Sequence, residues 1–371
     1  MVPTVVDFGL KAVRRSCGGW LLLEHGAEVN VTNSMNQGTP LTTAALVGNR
    51  AVVELLLGRG ARLEARLEGV ATPLALAANH GRAPVVDLLL ARGADTRIEI
   101  AGRNLLLHAL ADLPVRAVER QMTQAGGDGG MIRLQPAFPG DQAETIRRLL
   151  KAGLNPNAST RDGSRVPLSM AAALGLPDVA ETLLAGGADP FQEESGAFTP
   201  FHVAVDRGQI EVLKVLARHD RKILKLVNVS ARTDDRTPLH LAALGFFRAE
   251  TTVATPPDYG ATAAWLVAHG AQLEAVSEGM TPLIRAARTG NLAVVDALLT
   301  AGAPVNARNR SGETALHWAV IQKDRPMVER LLAGRANPGA QDIFGITPLS
   351  IAIGAGNPRL TALLRESGAK P

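Results

Sequence analysis

The sequence predicts an all-α solenoid of stacked helix–turn–helix units joined by β-hairpin fingers, and three observations predict it. A short string, complete at Thr237-Pro238-Leu239-His240-Leu241-Ala242-Ala243, recurs along the chain. Its echoes are Thr39-Pro40-Leu41, Thr72-Pro73-Leu74, Thr199-Pro200-Phe201-His202, Thr281-Pro282-Leu283, Thr314-Ala315-Leu316-His317 and Thr347-Pro348-Leu349. The interval is 33 residues from Thr39 to Thr72, from Thr281 to Thr314 and from Thr314 to Thr347. A second, offset signal keeps the same period: an apolar pair followed by Gly-Ala. It reads Leu55-Leu56 with Gly60-Ala61, Leu88-Leu89 with Gly93-Ala94, Leu183-Leu184 with Gly187-Ala188, Leu298-Leu299 with Gly302-Ala303, and Leu363-Leu364 with Gly368-Ala369. Third, 46% hydrophobic residues with only 3% aromatics fit Ala, Leu and Val helices packed on small contacts.

One unit can be built from these residues. Threonine caps a helix by accepting from a backbone N–H, and proline takes the first helical position, where its missing donor costs nothing. Leucine and two alanines then share a helical face, and the small alanines let a second helix approach. A glycine such as Gly48, Gly81, Gly175, Gly208 or Gly290 ends the first helix in the left-handed conformation. The second helix carries pairs such as Val52-Val53 and Leu55-Leu56. A polar stretch such as Asn306-Ala307-Arg308-Asn309-Arg310-Ser311-Gly312 makes the finger leading to the next threonine. One unit cannot bury its apolar face alone, so neighbours must stack. The period and the Thr-Pro-Leu-His-x-Ala string resemble the ankyrin repeat. The resemblance covers roughly residues 20–369, as nine units and a partial one.

Taken in order, residues 1–38 form a partial capping repeat. Trp20-Leu21-Leu22-Leu23 with Gly26-Ala27 matches a second helix, but no Thr-Pro precedes it, as in a degenerate cap or the remnant of a longer protein. The array proper spans 39–371, with insertions expected at 112–141, 221–232 and 246–260. The first and third fall between the two helices of their units, the third unit placing Asn104–Leu110 before the gap and Glu144–Leu150 after it. In the sixth unit the second helix resumes at Trp265-Leu266. The second insertion carries Arg221-Lys222-Ile223-Leu224-Lys225-Leu226, read as an extra helical turn or a small anion contact. In the eighth unit Lys323 and Arg335 stand where glycines are expected, which demands a less favourable backbone there.

No constellation points to catalysis. The run Gly126-Gly127-Asp128-Gly129-Gly130 lacks a preceding strand and is followed by Met131-Ile132-Arg133, so it reads as a flexible loop and not a phosphate cradle. Cys17 is the single cysteine, which excludes an intramolecular disulfide and any Cys-pair zinc site. The ankyrin resemblance implies that His202, His240 and His317 are structural, bonding between neighbouring units. His25, His80, His108, His219 and His269 have no ligand partner at helical spacing. Acidic pairs Asp234-Asp235 and Glu193-Glu194 sit on fingers and read as solvated. A net charge of +4 over 371 residues is too dilute to suggest nucleic acid. No run approaches the ~18 apolar residues of a membrane span. No catalytic residue, cofactor or metal is therefore expected, and a monomeric, cytoplasmic protein is.

The resemblance implies a non-catalytic scaffold that binds a partner protein through the concave face made by first helices and fingers. The alternative is the ankyrin portion or regulatory subunit of a larger enzyme or effector system, which fold alone does not exclude. Candidate contact residues are those released from packing: Phe344, Arg308, Arg310, Arg288, Glu278, Arg232, Asp234, Phe247 and Tyr259. Phe344 stands directly before Gly345 at a finger tip, where packing does not require an aromatic, and is expected to share a patch with Arg308 and Arg310.

Overall fold

Each unit begins where a side chain turns extended backbone into helix. Thr39, Thr72, Thr281 and Thr347 hold β-region dihedrals and accept from the backbone N–H three residues on, at 3.3, 3.3, 3.4 and 3.1 Å. Proline follows each of them at the first turn, as the cap geometry favours. The computed structural model describes residues 28–32, 38–111, 141–194, 197–231, 235–245 and 257–370. Cys17, the 126–130 glycine run, and most of the insertions expected at 112–141 and 246–260 lie outside those residues.

The chain divides into two compact units, described separately. One holds the described residues up to Met170 with Glu181–Asp189; the other holds Ala171–Ala180 and the described residues from Pro190 onward. In the first, α1 (Pro40–Val47) and α2 (Arg50–Gly58), then α3 (Pro73–Asn79) and α4 (Ala83–Ala91), form regular pairs. A hairpin of β1 (Glu99–Ile100) and β2 (Arg103–Asn104), antiparallel with Glu99 opposite Asn104, makes the finger before α5 (Leu105–Ala109). The partner helix α6 (Gln142–Lys151) starts at the Asp141 cap, two residues before the Glu144 expected from the spacing. The next two helices are α7 (Pro167–Leu174) and α8 (Pro177–Ala185).

The second unit contains α9 (Pro200–Asp206) and α10 (Ile210–His219), a 3-10 helix at Arg221–Asn228, and α11 (Pro238–Leu244) with α12 (Tyr259–Ala268). Three regular pairs follow: α13 (Pro282–Thr289) and α14 (Leu292–Thr300), α15 (Ala315–Ile321) and α16 (Arg325–Ala333), α17 (Pro348–Gly354) and α18 (Pro358–Glu366). The 3-10 helix is the extra helical element expected at 221–226, and it exists because Ile223 and Val227 are fully buried. Helix α12 starts at Tyr259, six residues before the expected resumption at Trp265, because Asp258 caps it by accepting from Ala261 N at 2.8 Å. The insertion expected over 246–260 therefore ends before Tyr259.

First helices α9, α11, α13, α15 and α17 pack on one another in sequence, and second helices α10, α12, α14 and α16 do the same. Ala242, Ala243, Ala286, Ala287 and Ala319 are fully buried between these layers, where any larger side chain would push them apart. The second helices also carry Asn or Asp caps that the repeat pattern did not reveal: Asn49, Asp141, Asp258, Asn291, Asp324 and Asn357.

Two side-chain ladders join successive repeats. His202, His240 and His317 reach the carbonyls of Val229, Met280 and Ile346 through Nε2 at 2.9, 3.1 and 3.2 Å. A carbonyl only accepts, so Nε2 carries the hydrogen and Nδ1 is left to accept. The hydroxyls of Thr199, Thr237 and Thr314 supply that bond at 2.9, 2.9 and 3.0 Å. Asparagine forms the other ladder: Asn228 Nδ2 donates to Gly270 O at 2.9 Å while its Oδ1 accepts from Gln272 N at 2.9 Å. Asn306 repeats this toward Arg335 O and Asn337 N, and Asn30 and Asn157 repeat it in the first unit.

The two residues standing at glycine positions take the glycine backbone. Lys323 has φ 57° and Arg335 φ 66°, left-handed values that cost a side-chain-bearing residue about 1–2 kcal/mol. Replacing Lys323 or Arg335 by glycine should raise stability by about 0.5–1 kcal/mol in urea unfolding, after the added entropy of the unfolded chain is deducted.

Burial lowers the pKa of all three ladder histidines, that of His240 to about 4, so the fold requires the neutral ring. On acidification the unfolded chain takes up protons first, from about pH 6.5. Their contribution is thus complete above that pH and is lost as pH falls toward 4. Melting temperatures recorded at pH 7.5 and pH 5 should drop accordingly. His240→Ala should cost about 2–3 kcal/mol at neutral pH and make that drop smaller.

Candidate partner-binding face

The finger before α13 determines where its charges stand. Ser277 and Met280 bridge, and the two residues between them are left-handed, Glu278 at φ 51° and Gly279 at φ 79°. This tight reversal sets the Glu278 carboxylate against two guanidinium groups: Arg285 Nη2 at 2.9 Å and Arg236 Nη2 at 3.6 Å. Arg285 is 4% exposed, and its Nη2 also donates to Ser277 O at 3.2 Å while its Nε has no partner. The hydrogen bond and charge of Arg285, with help from Arg236 and Arg288, hold the Glu278 carboxyl below its ordinary range.

Arg288 lies one turn beyond Arg285 and places its guanidinium carbon 4.8 Å from the centroid of the Trp318 ring. Its Nη1 is 3.7 Å from Met280 Sδ. Arg310, on the following finger, runs its stem against Gly279, where a Cβ would come within 2.9 Å of Arg310 Cγ. Glu278, Arg288 and Arg310 are thus brought together, and Arg236, Arg285 and Trp318 join them.

Arg308 has a different task. Its Nε donates to Gly312 O at 3.0 Å and its Nη2 to Gln341 O, which clamps its own finger to the next. Ile343 N donates to Ser311 O at 3.0 Å across the same gap. In that last finger Asp342 Oδ1 accepts from both Phe344 N and Ile346 N at 2.8 Å, which pins the tip. Phe344 is 79% exposed at this tip, and Ile343 is 63% exposed beside it.

Tyr259 belongs to neither group. Its ring packs against Gly208, its hydroxyl donates to Asp206 O at 3.2 Å, and burial pushes its pKa up to about 12. Arg232, Asp234 and Phe247 lie outside the described residues. Sequence reasoning missed Arg236, Arg285 and Trp318. Arg285 had a readable signal, because the fourth residue after the motif threonine is otherwise uncharged: Thr43, Leu76, Val203, Leu241, Trp318 and Ile351. Among the described residues no cluster of three His, Cys, Asp or Glu is disposed to hold a metal ion, and no helix is long and apolar enough to cross a membrane.

The comparisons with known proteins agree with this architecture. The family model for ankyrin repeats (3 copies) matches residues 11–100, 168–254 and 258–342. The chain is 30% identical to the B-cell lymphoma 3 protein homolog of Mus musculus over 51% of its own length and 40% of that protein's. It is 25% identical to the nuclear factor NF-kappa-B p105 subunit of Gallus gallus over 69% of the chain and 22% of the relative. Rabankyrin-5 of Homo sapiens is 28% identical over 60% of the chain and 22% of the relative. The chain thus spans well under half the length of these relatives.

Glu278→Gln removes the counter-charge of a buried guanidinium. Urea unfolding should show a loss of about 1–3 kcal/mol, because Arg285 then keeps its charge in a site with little water.

Proposed function

This chain belongs to the ankyrin-repeat family, and on that premise we propose that it is a non-catalytic scaffold binding a partner protein through its first helices and fingers. Ankyrin repeats are protein–protein interaction modules, in which the fingers and the outward sides of the first helices are left exposed once the units have stacked. The observation that carries the reading is Phe344. An aromatic ring 79% exposed on a tip fixed by Asp342 and braced by Arg308 is not there to fill a core. Exposed Ile343 and Ile346 widen the apolar surface around it. Aromatic anchors of this type commonly carry about 2 kcal/mol or more of binding energy each.

Arg308 supports this patch from below, through main-chain carbonyls, while Arg310 belongs with the neighbouring charged cluster. The face therefore has an apolar tip and a basic middle. The alternative reading, a portion of a larger assembly with chemistry elsewhere, is favoured by one observation: the relatives extend well beyond the matched region.

Affinity capture from the native host, with the wild-type chain and Phe344→Ala as parallel baits, tests the proposal. The wild type should retain a stoichiometric partner, and Phe344→Ala should bind that purified partner about tenfold more weakly or worse, with its thermal midpoint nearly unchanged. Equal affinity, or a large loss of stability in the variant, would assign Phe344 to the fold instead.

A further inference from the structure

Four guanidinium groups gather with the Glu278 carboxylate in the middle of this face, and Arg236 also feels the charge of Asp206. Glu278 is bonded to Arg285 and Arg236, so its single charge is already shared by two cations. Arg288 and Arg310 are both exposed, and neither forms an ion pair with a described carboxylate. Arg288 is also held in place. Its cation lies over Trp318, whose indole Nε1 is buried without a hydrogen-bond partner, and Met280 sulfur flanks it. A guanidinium fixed over an aromatic face loses less freedom on meeting a carboxylate than one on a free arm.

Two exposed apolar side chains stand on the same elements. Ile321, one turn beyond Trp318 on α15, is 39% exposed, and Val276 at the base of the Glu278 finger is 58% exposed. Excess positive charge among exposed apolar side chains matches a chain that alternates carboxylates with apolar residues. A phosphate backbone would meet cations here, but would also cover Val276 and Ile321 without any apolar group to offer them. We infer that Arg288, Arg310 and the Arg285–Glu278–Arg236 cluster form a site for an acidic, apolar-interleaved peptide segment of the partner. In it, carboxylates take Arg288 and Arg310 while an apolar side chain packs at Trp318 and Ile321. The inference rests on the scaffold reading and adds the chemistry of what the scaffold takes.

Fluorescence anisotropy on the full chain provides the test, using a labelled peptide of alternating Glu and Leu as probe. The same peptide with Gln for Glu, and a single-stranded oligonucleotide of equal charge, serve as comparison probes. The Glu–Leu peptide should bind most tightly and weaken as NaCl is raised. Arg288→Glu and Arg310→Glu should each weaken it by about tenfold or more, while Arg359→Glu, on the exposed surface of α18, should leave it unchanged. Circular dichroism melts of each variant identify any loss that comes from unfolding, and Arg310→Ala provides a milder second variant. Equal binding of the Gln peptide, tighter binding of the oligonucleotide, or an equal loss in Arg359→Glu would overturn the inference. So would a native partner held as strongly by Arg288→Glu as by wild type, and that result would leave the scaffold reading intact. Peptide binding that depends on Arg288 alongside undiminished partner capture by Phe344→Ala would support the site and remove the finger-tip reading.

Discussion

A pair of five- to ten-residue helices cannot cover its own apolar side, and much else in this chain answers that constraint. Isolated helices of this length are marginal in water, so their stability comes from neighbours. The alanines at the layer junction admit a close approach, and leucines such as Leu239, Leu283 and Leu316 fill the space between. Apolar contact by itself has little directional preference, so it does not fix how one repeat sits on the next. The histidine and asparagine ladders supply that register, because each bond joins a side chain of one repeat to the main chain of the following one. His240 to Met280 and Asn228 to Gly270 are two such bonds within one repeat step.

Side-chain bonds to the main chain also hold the repeat that carries residues 112–140. The structure joins α5 to α6 across residues 112–140, with Gln142 donating to Ala109 O and to Ala78 O at 3.1 Å. These bonds join residues on either side of residues 112–140. Closing a longer loop costs only slowly growing entropy, whereas losing a ladder bond would expose buried polar groups.

Much of this was legible in the sequence because a repeat averages out local noise. The caps at Thr39, Thr72, Thr281 and Thr347 and the left-handed turns at Lys323 and Arg335 follow from the repeated pattern, and the roles of His202, His240 and His317 from the ankyrin resemblance. Less legible was anything peculiar to one repeat. Tyr259 was singled out as an insertion aromatic, yet the Asp258 cap makes it the first residue of a helix and turns its ring onto Gly208. Arg308 reads in sequence as a free finger charge, but its donors face the carbonyls of Gly312 and Gln341, a pairing that no residue pattern encodes. Arg285 puts a charge into an otherwise uncharged column of the repeat, and departures of that type, more than adherence to the motif, mark the charged cluster.

The Arg308 clamp has a consequence for how such a surface changes over time. Its acceptors are the main-chain oxygens of Gly312 and Gln341, groups present whatever side chains the last finger carries. Asp342 likewise shapes the tip through the amides of residues 344 and 346. Support for the loop is therefore written in the backbone, and its outward vocabulary at Ile343, Phe344 and Ile346 is left open to mutation. On the proposed reading of this tip, a lineage can exchange one recognised protein for another there by altering three letters, without renegotiating the frame that displays them.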